Sequence, residues 1–480
     1  MRGGVASLGG FGARLTARVG LMVAAGHLFG ASELGKLAQV AATIEILSAI
    51  GVLGLKRTLL GMLSRDAADA ANGGRVERRV AEALLAAGLI SLVLTAGLWL
   101  FWPLLFSPQT ALPLVLLLAI PSIVISDVAL TATRYHRLIK WEVLTRCGIE
   151  PWSYLLFALL AAWAGLIEGG LLYAYVGSLF AALVFALCGL LRVFGWRSLW
   201  SEPPRLRSLL AIPRESLPTG LTDIGVVLLR RVDILLVAVY TDPATTGVYF
   251  MVQQIATVPH KIHALFEPML APVIAALHHS KRSEAIQAKL AGCCRWVMTL
   301  QLGLSVPLII FGDHVLGLFG PEFAIGLFIL AIILLAELLD GSFVLCETAL
   351  VFAKPSVPPQ LILMALIVEV VAITLLAPPF GAEGAAFGFL IATFCLAAGR
   401  LIAVRRLLGI RVIDRSYLYP ALLALATAVI LSLARQWSGG SGLALPLLLA
   451  LTGIAGFMLA IRKLATTRED RLILRRLRRF

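Results

Sequence analysis

The chain has 480 residues, 60% of them hydrophobic and 14% charged, with a mean hydropathy of +0.93. Soluble domains carry about 25% charged residues, so this composition excludes a soluble globular protein, a disordered chain and a small disulfide scaffold. The net charge of +14 fits basic residues that orient membrane spans and, with nothing else to support it, does not indicate nucleic-acid binding.

A helical span needs about 20 apolar residues. Apolar runs with few charges occur at 13–33, 36–56, 82–102, 111–132, 143–164, 169–191, 214–240, 244–266, 293–312, 323–347, 358–377, 384–404, 417–435 and 443–461. They predict an all-α polytopic membrane protein of about 14 transmembrane helices, leaving no room for a soluble catalytic domain. The first run is expected to be an uncleaved span. Cys147, Cys188, Cys293, Cys294, Cys346 and Cys395 lie in or beside these runs, form no CxxC, and read as small core hydrophobes.

Sorting the 41 Lys+Arg by alternating sides puts 35 on one side of the membrane and only Lys36 and Arg435 on the other. Arg18, Arg230, Arg231 and Lys261 fall within spans. The positive-inside rule then places both termini in the cytoplasm. The tail from Arg462 to Phe480 has eight Lys+Arg interleaved with leucines, which predicts an amphipathic helix on anionic lipid headgroups.

Spans 1–2 overlay spans 7–8 at an offset of 212, pairing Gly35 with Gly247, Val40 with Val252, Ile50 with Ile262 and Arg18 with Arg230. Six intervening spans keep both copies in one orientation, the pattern of parallel transporter repeats. The expected organisation is an N-lobe at 1–205 (spans 1–6), a C-lobe at 206–412 (spans 7–12) in pseudo-two-fold repeat around a central cavity, and spans 13–14 with the tail at 413–480.

Charges at membrane depth are costly and mark pathways or partners. In span 7, Thr219, Asp223 and Arg230 share one helical face, Arg230 and Asp233 are spaced to pair, and Arg231 points about 100° away. These residues read either as a structural Arg–Asp lock or as a cationic patch lining a cavity. Span 8 is unusually polar, with Gln253, Thr257, His260, Lys261, His263 and Glu267, and is kinked by Pro259, Pro268 and Pro272. His260, His263 and Glu267 have a spacing a metal tolerates, but a polar stripe is the simpler reading, and no metal site or cofactor is expected. In span 10, Glu337, Asp340 and Glu347 are either counter-charges for the arginines or a proton or Na⁺ coupling site. Glu45, Asp127 and Glu369 are isolated candidates. Arg18, Asp223, Arg230, Arg231, Asp233 and Lys261 are thus the candidate substrate contacts. Arginine chemistry favours an anion such as a lipid-linked pyrophosphate.

Gly30 to Lys36 fits most of a phosphate-loop pattern, but Leu37 replaces the Ser or Thr needed for Mg²⁺ and no strand precedes it. The segment reads as a short turn between spans 1 and 2.

The series Leu217-Pro218, Arg230-Arg231-Val232-Asp233, Gly247-Val248-Tyr249 and Pro268 to Pro272 resembles the bacterial polysaccharide flippases of the multidrug/oligosaccharidyl-lipid/polysaccharide exporter superfamily. Glu33-Leu34-Gly35, Gly51 to Gly54 and Arg57 resemble their spans 1–2, although Lys36 and Leu37 stand where an aromatic residue is usual. The resemblance implies two lobes around a cavity, with alternating access that flips an undecaprenyl-pyrophosphate-linked oligosaccharide. It further implies a non-enzymatic role in lipopolysaccharide or exopolysaccharide synthesis in the bacterial inner membrane, beside glycosyltransferases and a polymerase. The weighed alternatives are a multidrug exporter, a peptidoglycan-precursor flippase and, in another class, a membrane glycosyltransferase, polymerase or ligase.

Overall fold

A computed structural model describes residues 2–69, 75–105, 117–280, 282–437 and 444–464. All regular structure among these residues is helical. The tail at 465–480, with its expected amphipathic helix, lies outside them.

Helix α1 (Arg2–Val52) carries the first two spans and leaves helical geometry only at Gly30 (φ 79°, ψ 173°), a conformation that glycine adopts without a Cβ penalty. After a break at Leu53–Gly54 the second span continues as α2 (Leu55–Ala68). Next come α3 (Val76–Leu105) and α4 (Ala119–Tyr135), followed by α5 (Lys140–Val143), which passes through a π-helical turn at Leu144–Ile149 into α6 (Glu150–Trp163). Helix α7 (Gly170–Phe194) and the short α8 (Trp196–Leu199) follow. The seventh span is α9 (Leu206–Leu229) and α10 (Val232–Tyr240), parted at Arg230–Arg231. The eighth is α11 (Pro243–His260) and α12 (His263–His279), parted at Lys261–Ile262. Helix α13 (Ser283–Ile310) is the ninth. The tenth runs from α14 (Gly312–Gly317) through a 3₁₀ turn into α15 (Leu327–Phe343) and α16 (Cys346–Ala353). Helix α17 (Val357–Leu408) holds the eleventh and twelfth, broken at Gly381 (φ 56°). Helices α18 (Leu418–Trp437) and α19 (Ala444–Leu464) complete the series.

Eight helical stretches among the described residues are long and apolar enough to cross a membrane. Two of them, broken at Gly30 and Gly381, hold two expected spans each. The four expected spans outside this set are also helical: α4 has 17 residues, the fifth span carries the π turn, and the seventh and eighth are broken. Every expected span therefore has a helical counterpart. One expectation fails locally. Ala31–Lys36 is helical rather than a turn, because Gly30 alone reverses the chain.

The chain forms two compact units, Met1–Ala238 with Asp242–Gly247, and Val239–Thr241 with Val248–Phe480. Residues 206–238 thus pack with the first unit, so the compact units do not divide at the expected 205/206 boundary. In the first unit α4 is almost wholly buried against α1, α2, α3 and α7. Lipid tails are as apolar as leucine, so such packing relies on small residues that let helices approach. Ala119, Ser122, Ala129 and Ala132 line α4 accordingly. Its hydroxyls are satisfied inside the helix, with Thr131 donating to the Asp127 carbonyl (2.8 Å) and Thr133 to that of Leu130 (2.7 Å).

Also within the first unit, a Cβ on Gly35 would strike the Pro243 carbonyl, and one on Gly247 would strike that of Ala31. The offset of 212 that pairs Gly35 with Gly247 also pairs Ala31 with Pro243. The contact is thus reciprocal, as two-fold-related surfaces require. Beside it, the Asp242 carboxylate accepts from the Thr245 hydroxyl (2.6 Å) and amide (3.0 Å) and from the Ala244 amide (2.9 Å). These bonds cap α11 and hold that carboxyl below the usual carboxylate range.

Candidate functional site

Two charged clusters stand out, one in each unit. The first gathers residues from α1, α2, α4, the π turn, α6 and the seventh span. Arg146, on the π turn, donates to Asp127 and Ser126 of α4 and to Glu150 (2.5 Å). A π turn widens the helix by one residue and re-aims its side chains, a device frequent at functional sites. Lys56 pairs with the same Asp127 (2.6 Å). Arg231 donates to Glu45 at 2.6 Å, and Arg57 pairs with Asp223 at 3.0 Å. Arg18 lies within electrostatic range of Arg14, Arg231, Glu45 and Glu150. Tyr175 feels Glu45, Glu150, Arg231 and Tyr154. The Tyr154 ring packs against Tyr175 with centroids 5.6 Å apart, and its buried hydroxyl makes no hydrogen bond.

The cations of this cluster are partly exposed. Arg57 and Lys56 are about half exposed or more, and Arg146 and Arg231 about a fifth. Such cations retain donors for a further anion, and guanidinium groups bind phosphate with two parallel hydrogen bonds.

The second cluster is mostly buried, with only Glu347 about a quarter exposed. Arg400, in the second half of α17, donates to Asp340 (2.5 Å) and with two nitrogens to Glu347 (2.9 and 2.6 Å). His260, the last residue of α11, places Nδ1 2.9 Å from a Glu337 carboxylate oxygen and 3.7 Å from Asp340. Gln301 of α13 donates to the Glu337 carbonyl (3.4 Å) and accepts from Ser342 (3.0 Å). Among the described residues His260, Glu337 and Asp340 form one triad whose donor atoms lie within 4.8 Å, as metal ligands do. Ligands on a tetrahedral ion with bonds of 2.0–2.1 Å stand about 3.3 Å apart. The 2.9 Å His260–Glu337 separation is instead that of a direct charge-assisted hydrogen bond, and Asp340 is already engaged by Arg400.

Residues 27–323 match the sequence model of the family described as polysaccharide biosynthesis protein. The chain belongs to this family. No curated protein sequence matches it significantly. Among solved structures it is similar to the lipid II flippase MurJ in an inward closed conformation, with 14% identity, TM-score 0.70, and 94% of this chain and 98% of that one covered. It is also similar to an inward-facing multidrug resistance transporter of the MATE family and MOP superfamily, with 15% identity, TM-score 0.62, and coverage of 82% and 98%. A MATE transporter of Vibrio cholerae gives 14% identity, TM-score 0.53, and coverage of 86% and 96%. At these identities the likeness establishes the fold, that of the superfamily of flippases and exporters.

The expected contacts are partly rearranged. Arg18 and Arg231 lie in the first cluster. Asp223 meets Arg57 rather than lining up with Arg230, because the seventh span breaks at Arg230–Arg231 and interrupts the face that the spacing assumed. Arg230 caps α9 and is half-buried. Asp233 is fully buried in the first turn of α10 and accepts from the Ile234 amide (2.8 Å), where a negative charge complements the helix N-terminus. Lys261 belongs to the second unit and lies exposed at the break in the eighth span. Glu267 is exposed, whereas His260 is buried with Glu337, so His260, His263 and Glu267 do not form one site. Glu337, Asp340 and Glu347 do converge, although the helix breaks between Asp340 and Glu347. Their arginine is Arg400. A census by sides passes over Arg400 and Arg146, because each stands three or four residues inside an apolar run and reads as a helix end.

Proposed function

We propose that this membrane protein flips a lipid-linked oligosaccharide across the bacterial cytoplasmic membrane by alternating access. The cargo is a repeat unit on undecaprenyl pyrophosphate, destined for lipopolysaccharide or exopolysaccharide. The observation that carries the reading is the partly exposed arginine and lysine cluster of the first unit, in a chain of the polysaccharide biosynthesis family. A pyrophosphate crossing the membrane needs charge-assisted donors. Arg18 and Arg231 of the first unit supply them, while Asp223 and Asp233 hold the broken seventh span in place. Glycosyltransferases supply the cargo and a polymerase consumes it, so no bond is made or broken here. Both termini are cytoplasmic.

The test is translocation of a fluorescent undecaprenyl-pyrophosphate oligosaccharide in vesicles holding the purified protein. Arg18→Ala and Arg231→Ala are expected to lower the rate by about tenfold each, the loss of about 1.4 kcal/mol of interaction. Normal rates in both folded variants would sink the site assignment. The fold is equally that of multidrug exporters, and movement of an organic cation but not of the lipid in the same vesicles would favour that second reading.

A further inference from the structure

The cluster in the second unit has a chemistry unlike the first. Three carboxylates, Glu337, Asp340 and Glu347, are drawn together with one guanidinium and one imidazole. Buried charge is tolerated when it is paired and hydrogen-bonded. Arg400 meets that need for Asp340 and Glu347 through three hydrogen bonds and is itself buried. A guanidinium stays protonated at every physiological pH, so this part of the cluster holds its charge.

Glu337 is held differently. Its partner is His260, and imidazole is the side chain that changes charge near neutral pH. The backbone allows the approach: a Cβ on Gly341 would come within 3.1 Å of His260 Nδ1 and overlap the Gln301 amide. The facing groups are His263 on α12, whose Nδ1 lies 2.7 Å from the His260 carbonyl oxygen, Gln301 on α13, Asp340 and Ser342 on α15, Glu347 on α16 and Arg400 on α17. His260 ends α11, where a cation complements the helix dipole. The chain breaks at Lys261–Ile262 immediately after it, so a charge gained by His260 acts on the joint of the eighth span.

We propose that His260 and Glu337 form a proton-binding site at the break in the eighth span, with Arg400 holding the neighbouring Asp340 and Glu347 in their charged form. Protonation converts a neutral imidazole against a carboxylate into an imidazolium–carboxylate pair, adding one positive charge at the end of α11. This rests on the transporter reading only for its use in driving transport. The binding itself is independent of any cargo.

The test uses the full-length protein in detergent, with no transported lipid, its seven histidines labelled with ¹³C at Cε1. His260→Gln identifies the His260 resonance. In the wild type that resonance is expected to titrate between about pH 5 and 8, with the same midpoint in Na⁺ and K⁺ buffers. Glu337→Gln is expected to displace the midpoint by about one pH unit or more. Glu337→Asp, which keeps the charge and loses a methylene, serves if the amide variant does not fold. A resonance that stays constant over this range overturns the proposal, as does a midpoint that moves with Na⁺ or with Zn²⁺ alone, or one unmoved by the Glu337 change. Titration as expected, with no lipid movement in vesicles, would overturn the flippase reading and leave the proton site standing.

Discussion

The two charged clusters solve opposite problems. In the first unit Lys56 and Arg57 retain 49% and 63% of their side-chain exposure, and Lys56 shares its acid, Asp127, with Arg146. In the second, Arg400 and Asp340 retain 4% and 5%, and carboxylates outnumber the arginine. A half-solvated cation loses little when one partner is removed and has capacity to meet a new anion. A sealed pair has no such freedom, because breaking it leaves a charge without water. The contrast underlies the two proposals, an anionic cargo at the first cluster and a proton at the second.

The comparison breaks most sharply at Arg400. Arg400→Ala is expected to cost about 3–5 kcal/mol of stability, seen as a large fall in the thermal unfolding midpoint in detergent; an unchanged midpoint would show that the cluster is solvated after all. Backbone contact comes next. Gly247→Ala is expected to cost about 1–3 kcal/mol through overpacking against Ala31, measurable by the same unfolding scan, and a neutral result would remove the reciprocal contact from the account. Arg57→Ala is smaller, because the exposed Arg57–Asp223 pair contributes about 0.2–1 kcal/mol; a loss as large as that of Arg400→Ala would erase the distinction between the clusters. Tyr154→Phe sharpens the site at the least structural cost. Removing a buried hydroxyl without a hydrogen-bond partner leaves stability equal or higher, so a fall in vesicle translocation in that variant would mark the hydroxyl as a cargo contact, and an unchanged rate would mark it as packing.

Much of the fold was legible in the sequence. Span length follows from bilayer thickness and helix rise, which is why the apolar runs map onto helices. The repeat was legible as well, since Gly35 and Gly247 stand at equal positions and meet. The unusual polarity of spans 7, 8 and 10 also singled out His260, Glu337 and Asp340 as residues needing partners.

What the sequence could not decide was who those partners are. Helical spacing relates residues within about one turn of one another, whereas Arg231 meets Glu45 across 186 positions and Arg400 meets Asp340 across 60. Those pairings depend on which helices pack together and how each is rotated. The break at Arg230–Arg231 and the π turn under Arg146 are likewise settled by packing, since they redirect side chains that a regular helix would aim elsewhere. Composition and hydropathy therefore determined a polytopic helical membrane protein. Tertiary structure alone divided its charges into a half-exposed cationic cluster and a more buried acidic one, because the energy of a charge in a membrane protein depends on its neighbours and its access to water.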